Sequence, residues 1–253
     1  MTGRLAFLLA LVVLAGSANA ESPAEHPADC RTAEVQPERN FALPQTTHAI
    51  KNKKLTVLVV GAGSSTLPGS GSKSAYPSRL LQALQAKLPG VEVKLAIDVT
   101  PKRSAADMVK AMVPELATNK PALLIWQTGT VDAMQSLDPD QFSQALDKGI
   151  NIARSAGADV VFINPQYSPR TESMIALGTY AENMRWVALQ QEVPLFDRFS
   201  IMKVWSDLGT FDLNSATKKL DTAERVHDCI GRLLADLVIE SAKSGAPHAE
   251  GGR

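Results

Sequence analysis

Two adjacent serines, Ser64 and Ser65, follow an apolar β-branched run that ends at Val60 and is broken by Gly61 and Gly63. A run of this kind that stops at glycine and serine is typical of a buried strand ending in a tight turn. The carboxyl ends of parallel strands are where α/β proteins place binding and catalytic groups. The turn therefore predicts a serine nucleophile, although an ordinary strand-to-helix connection has the same pattern.

Three well-known glycine-rich motifs do not fit this turn. A dinucleotide-binding fingerprint needs a third glycine where Thr66 stands, and a serine-hydrolase elbow needs a second glycine where Leu67 stands. A phosphate-binding P-loop needs a Gly-Lys pair, which the sequence lacks. These mismatches leave a serine nucleophile in a turn that follows none of the three motifs.

A serine nucleophile needs a base, and histidine is the usual one. Of the four histidines, His26 and His48 precede the regular pattern, His248 lies in the tail, and His227 alone falls within a strongly patterned segment. Glu224 stands three residues before His227, so on a helix the two side chains share a face and the carboxylate is placed to orient the imidazole. The competing interpretation of His227 is an ordinary histidine that is solvated or hydrogen-bonded on a helix surface.

The chain also carries three short motifs in a fixed order. They are Gly63-Ser64-Ser65 with Gly69 four residues after the serine, Gly129-Thr130-Val131-Asp132 after an apolar run, and Glu224-Arg225-Val226-His227 near the C-terminus. Together they resemble the G-x-S, G-x-N-D and D-x-x-H blocks of the SGNH, or GDSL, hydrolases. The resemblance covers residues 55–240.

The resemblance implies an esterase on a flavodoxin-like fold, with Ser65 as nucleophile, His227 as base and Glu224 as its orienting carboxylate. Ser64 is the alternative nucleophile, because a shift of one residue exchanges the two serines. A carboxylic ester of a lipid, an acetylated glycan or a small molecule would be the substrate, and no cofactor or metal is implied. A non-catalytic ligand-binding protein on the same fold is the alternative.

Two departures from the family pattern concern the oxyanion hole. The second block should fall in "DVTPKRSAAD", which has no glycine, and Val131 replaces the asparagine of the third block. Since loss of one oxyanion donor costs about 10²–10³ in rate, the resemblance predicts a slow or inactive member unless another group donates. The candidates are the Ser65 backbone N–H, Arg103, Gln127 and Thr130, which the sequence does not rank.

Strand-like and helix-like patterns alternate from residue 55 onward. Buried strands alternating with helices indicate a parallel sheet covered on both faces, so we expect one three-layer α/β/α domain over residues 55–243 with about five strands. The patterns predict a helix over 171–191 and a last helix over 215–242, and Pro114 should kink or split the helix that contains it.

The first twenty residues have the pattern of a secretory signal peptide. Arg4 precedes a short apolar run, and Ala18-Asn19-Ala20 fits a cleavage site after Ala20. We therefore expect a periplasmic or secreted protein without stable membrane insertion, with an irregular extension over 21–54 and a disordered tail over 244–253. Twenty-six basic and twenty-six acidic residues balance, so the charge does not indicate a nucleic-acid partner.

The sequence holds two cysteines, Cys30 and Cys229. In an oxidising compartment an isolated pair is more often a disulfide than a metal site, and structural zinc sites need more ligands than this pair supplies. We expect a Cys30–Cys229 bond that pins the extension beside the helix of His227.

Overall fold

The computed structural model describes residue 30 and residues 41–67, 73–214 and 220–244. Its centre is a five-stranded sheet with the order β2-β1-β3-β4-β5, in which every neighbouring pair is parallel. The strands are β1 (Lys54–Gly61), β2 (Glu92–Val99), β3 (Leu123–Gln127), β4 (Asp159–Ile163) and β5 (Leu195–Phe196). The predicted parallel α/β sheet is confirmed.

Helices cover both faces of this sheet. They are α1 (Pro44–Lys51), α2 (Tyr76–Lys87), α3 (Ala105–Asn119), α4 (Thr130–Met134), α5 (Pro139–Ser155), α6 (Pro169–Glu172), α7 (Leu177–Gln190), α8 (Arg198–Asp207) and α9 (Leu220–Ser244). Buried side chains of α1, α2, α8 and α9 form one apolar cluster, and those of α3, α5 and α7 form the other. Strands β3 and β4 are buried along their whole length because helices pack on both sides of them.

The chain reverses its direction across the sheet at β1. From β1 it runs to the edge strand β2 and then returns to β3 on the other side of β1. In open α/β sheets this reversal opens a crevice at the carboxyl ends of the two central strands. The serine turn follows β1, and Gln127 ends β3, so both lie at the edge where this rule places a binding site.

Several local expectations differ from the structure. Residues 44–51 of the expected irregular extension form α1, and the expected helix over 171–191 is divided into α6 and α7. Helix α3 runs through Pro114 without a break. Pro114 is exposed, and the buried residues Met112 and Leu116 on either side of it keep the helix packed on the core. The signal peptide, and the tail beyond residue 244, lie outside the described residues.

Cys30 and Cys229 form the expected disulfide, with their Cα atoms 5.3 Å apart. Both residues are buried, and Cys229 lies on α9 two residues after His227. The bond attaches residue 30 to α9, as the sequence predicted.

Helices α2 and α9 approach each other closely at Gly231. A Cβ atom added there would lie 2.8 Å from the backbone carbonyl carbon of Arg79 and 2.8 Å from the backbone nitrogen of Leu80. Backbone atoms inside a helix have no flexible end that can move aside. Glycine is therefore required for α9 to lie against the first turns of α2.

We expect Gly231→Ala to destabilise the protein by roughly 1–3 kcal/mol, because α2 and α9 would have to separate. Helix propensity alone predicts the opposite, a gain of about 1 kcal/mol. Urea denaturation of the variant and the parent protein measures the sign. A variant as stable as the parent would contradict the close packing described here.

Candidate functional site

The serine turn spans Gly63–Ser65 and forms a short 3₁₀ turn immediately after β1. Ser65 is buried and Ser64 is half-buried. A Cβ atom at Gly61 would overlap the Ser65 hydroxyl, so only glycine lets the turn fold back over the end of its own strand. The turn therefore presents Ser65 towards the sheet and leaves Ser64 nearer its outer side.

Gln127, at the end of β3, holds the Ser65 hydroxyl. The Ser65 hydroxyl donates to Gln127 Oε1 at 2.7 Å, and the Ala62 backbone N–H donates to the same oxygen at 3.3 Å. Because a backbone N–H is always a donor, the oxygen of the amide must face the turn. The amide nitrogen, Gln127 Nε2, therefore points away from the turn. It is buried and has no hydrogen-bond partner.

Tyr76, the first residue of α2, connects the serine turn to α9. Its hydroxyl lies 3.0 Å from Ser65 Oγ, and its backbone N–H donates to His227 Nδ1 at 2.9 Å. The ring centroids of Tyr76 and His227 are 5.9 Å apart. Tyr76 thus contacts Ser65 through its side chain and His227 through its backbone.

Accepting the Tyr76 N–H fixes the tautomer of His227. Nδ1 must be unprotonated to accept, so the neutral ring carries its proton on Nε2. A catalytic triad needs the reverse, with Nε2 free to accept the serine proton and Nδ1–H donating to a carboxylate. Glu224 lies one turn before His227 on α9 and is half-buried, but Nδ1 is already occupied.

Burial, together with the smaller effect of the positive charge of Arg198, lowers the pKa of His227 to about 3. The imidazole is therefore neutral at physiological pH and a weak base. For Tyr76, burial raises the pKa of the phenol, against smaller lowering effects of the Ser65 hydrogen bond and Arg198. The assignment of Ser65, His227 and Glu224 to a catalytic triad thus stays a prediction.

Arg198, the first residue of α8, lies beneath the serine turn and is fully buried. Its guanidinium donates to the Asn164 carbonyl oxygen at 3.2 Å, to the Ser64 carbonyl oxygen at 3.3 Å and to Ser64 Oγ at 3.3 Å. Burial lowers the pKa of this guanidinium to about 10, so it keeps its charge at neutral pH. Arg198 therefore ties the ends of β1 and β4 together and places a cation at the site.

The four oxyanion candidates differ in what their donors already contact. The Ser65 backbone N–H donates to the Ala62 carbonyl oxygen at 2.8 Å, and Arg103 pairs with Asp98 at 2.5 Å. Gln127 Nε2 and Thr130 Oγ1 are buried polar atoms without a partner. Gln127 ends β3 and Thr130 begins α4, so these two unpaired but buried donors lie near this edge of the sheet.

The acidic residue of the Gly129-Thr130-Val131-Asp132 motif has a structural role. Asp132 is buried in α4 and accepts from the Ala105 backbone N–H at 3.0 and 3.2 Å, which caps the start of α3. Burial raises the pKa of this carboxyl. Val131 is half-buried and packs against the apolar cluster of α3, α5 and α7.

Over the described part of the chain, no cluster of three or more His, Cys, Asp or Glu residues could hold a metal ion, and no helix is long and apolar enough to cross a membrane.

Tyr76, Asn164 and Arg198 are site residues that the sequence reasoning missed. Asn164 directly follows the apolar run of β4, and Arg198 closely follows that of β5. Polar residues just after a buried parallel strand reach the carboxyl edge of the sheet. That rule, applied to every strand, would have selected Asn164 and Arg198, whereas Tyr76 has no comparable signal.

The buried neutral His227 makes stability depend on pH. Its pKa is about 3 in the folded chain and about 6.5 in an unfolded one, so between these values the unfolded chain binds more protons. The free energy of unfolding should fall by about 3 kcal/mol from pH 7 to pH 4 through this residue alone. His227→Asn keeps an acceptor for the Tyr76 N–H but does not titrate.

Urea denaturation at pH 7, 5 and 4 should show a weaker pH dependence in His227→Asn than in the parent protein. His48→Asn is the matched control, since His48 is exposed and bonds only to Asn52 on its own turn. It should keep the parent's pH dependence. Equal slopes for all three proteins would refute the depressed pKa of His227.

Solved structures with the same architecture share low sequence identity with this chain. TesA is 24% identical, covers 72% of this chain and 99% of its own, and has a TM-score of 0.56. Axe2, an acetylxylan esterase from Geobacillus stearothermophilus, is 14% identical over 73% of this chain and 94% of its own, with a TM-score of 0.57. A lipase/acylhydrolase from Enterococcus faecalis is 18% identical over 75% and 96%, with a TM-score of 0.54.

These similarities establish the fold. No relative with a curated description matches the sequence. The profile of the Non-GDSL lipase-like family matches residues 29–244, which include all the strands and the whole site. The chain therefore belongs to the Non-GDSL lipase-like family and has the fold of the SGNH, or GDSL, hydrolases.

Proposed function

We propose that this protein is an exported serine ester hydrolase of low turnover, with Ser65 as its nucleophile. The observation that carries the proposal is the geometry of the serine turn, where Ser65 Oγ is held by Gln127 and Tyr76 at the crevice between β1 and β3. Membership of a lipase-like family supports ester chemistry. The N-terminal sequence pattern and the Cys30–Cys229 bond support export.

The reaction would begin with attack of Ser65 Oγ on an ester carbonyl, while His227 takes the serine proton and later returns it to the leaving alcohol. For that step the neutral His227 ring must change tautomer: the Tyr76 N–H···Nδ1 bond opens, Nε2 gives its proton to solvent, and Nδ1 takes one up. Leaving a buried N–H unpaired costs about 1–3 kcal/mol. Glu224, one turn earlier on α9, would then accept from Nδ1–H.

The negative charge that develops on the carbonyl oxygen needs donors. Gln127 Nε2 and Thr130 Oγ1 are proposed for this role, because both are buried and unpaired. The amide of Gln127 is already oriented by Ala62 and Ser65, so it would not need to reorganise during the reaction. The weak base and the missing asparagine both favour a slow reaction.

A second candidate is a ligand-binding protein without catalysis. The observation that favours it is the state of His227, a weakly basic imidazole whose Nδ1 accepts a backbone N–H. Such a protein would keep the crevice and its donors and would not activate Ser65.

Labelling with a fluorophosphonate probe separates the two candidates, because the probe forms a covalent bond only with an activated serine. We expect slow labelling of the parent protein, loss of labelling in Ser65→Ala, and retained labelling in Ser64→Ala. Labelling lost only in Ser64→Ala would reassign the nucleophile. A folded parent protein that is never labelled would support the second candidate.

Val131→Asn should raise kcat on an activated p-nitrophenyl ester, by up to about 10²–10³, because the amide adds an oxyanion donor. Val131→Ala is the control, since it removes the same apolar contact without adding a donor, and its kcat should not rise. Thermal unfolding of both variants checks that they are folded. An unchanged kcat in folded Val131→Asn would mean that Gln127 or Thr130 already fills the role.

A further inference from the structure

Arg198 is a buried cation without an anionic partner among the described residues. Its three hydrogen bonds all go to neutral oxygens, on Asn164 and Ser64. The neighbouring Asp197 is not available to it, because that carboxylate accepts from Arg185 at 2.7 Å and from Asn164 at 2.6 Å. A buried charge without a counter-charge is costly, and neutral acceptors offset only part of that cost.

Ser64 connects this buried charge to the outer side of the turn. The guanidinium donates to Ser64 Oγ, so the hydroxyl proton of Ser64 is left to donate elsewhere. A hydroxyl that accepts from a cation is polarised and becomes a stronger donor. Because Ser64 is half-buried whereas Arg198 is fully buried, the hydroxyl is the part of this pair within reach of a ligand.

The other groups around the turn are donors as well. Gln127 Nε2 and Thr130 Oγ1 are buried without partners. The carboxylates at the ends of neighbouring elements are committed, Asp98 to Arg103 and Asp132 to the start of α3. Apart from Glu224 on α9, the described groups around the turn are thus one cation and two buried donors, a set that favours a negatively charged oxygen group.

We propose that the ligand recognised at the serine turn carries a carboxylate, which accepts from the Ser64 hydroxyl and is balanced by the charge of Arg198. The inference rests on the proposed function and names its substrate class, an ester whose acyl part ends in a carboxylate. Since Ser64 and Ser65 are adjacent, the carboxylate and the ester carbonyl must be only a few atoms apart. A half-ester of a short dicarboxylic acid, such as a hemisuccinate, satisfies this distance.

Binding is tested apart from catalysis by calorimetry with succinate and its neutral diamide, at an ionic strength held constant with sodium chloride. Succinate should bind the parent protein and the diamide should not. Ser64→Ala and Arg198→Gln should each weaken succinate binding by about tenfold or more, which corresponds to about 1.4 kcal/mol. Lys110→Gln, which removes an exposed charge on α3, should bind succinate as the parent does.

Ser64→Ala keeps the test decisive if Arg198→Gln does not fold, because it removes only the half-buried hydroxyl of the pair. Equal binding of succinate and diamide, absence of binding by either, or unchanged binding in folded Ser64→Ala would overturn the proposal. Binding of phosphate or sulfate in place of succinate would overturn the assignment to a carboxylate.

Hydrolysis then separates this inference from the proposed function. The parent protein should cleave the p-nitrophenyl hemisuccinate with a kcat/KM at least about tenfold above that for p-nitrophenyl butyrate, an ester of similar length without the charge. Hydrolysis of both esters at equal rates would refute the carboxylate preference and retain the esterase. Succinate binding without hydrolysis of either ester would retain the carboxylate ligand and refute the esterase.

Discussion

Tyr76 makes the two hydrogen bonds on which the arrangement of the site depends. Its hydroxyl contacts Ser65 Oγ, and its backbone N–H donates to His227 Nδ1. Both bonds are possible only because α2 begins at the carboxyl edge of the sheet and α9 packs directly against it, with Gly231 at the contact. The position of the serine turn, the tautomer of His227 and the packing of two helices are therefore one linked constraint. A change in any of them must be accommodated by the other two.

This constraint also decides the electrostatics of the site. Tyr76 and His227 are both held in their neutral forms by burial, and the nearby cation Arg198 opposes protonation of His227. The active serine of a hydrolase needs a base that gains a proton during the reaction, which this environment disfavours. It favours negative charge instead, because Arg198, Gln127 and Thr130 present a cation and unpaired donors. The same packing therefore disfavours a proton on His227, and it is consistent with the carboxylate ligand that we propose.

The parallel sheet, most of its helices and the serine turn could be predicted from the sequence, because apolar strands and helical periodicity are local signals. The cap of α3 at Ser104 and that of α5 at Asp138 follow from residue type alone. The partners of the site residues could not be predicted in this way. Whether His227 meets Glu224 or the Tyr76 N–H depends on how α9 packs against α2, and a short motif such as Glu224–His227 holds no information about that contact. The position of Arg198 after β5 carries a sequence signal, but its contacts with Ser64 and Asn164 depend on tertiary packing.

The disulfide extends the same constraint to the N-terminal part of the chain. Cys229 is 1% exposed and lies on the face of α9 that packs into the core, so its partner Cys30 is anchored beside the helix turn that carries His227. Arg232, one turn further along α9, donates to Cys30 Sγ at 3.3 Å and pairs with Asp228. A bond that closes a sequence separation of 199 residues removes chain entropy worth about 5 kcal/mol from the unfolded state in the chain-entropy model. In the folded chain the bond joins residue 30 to α9 two residues after His227, so it lies close to the site. The helix whose packing sets the tautomer of His227 is thus the one that the covalent bond secures.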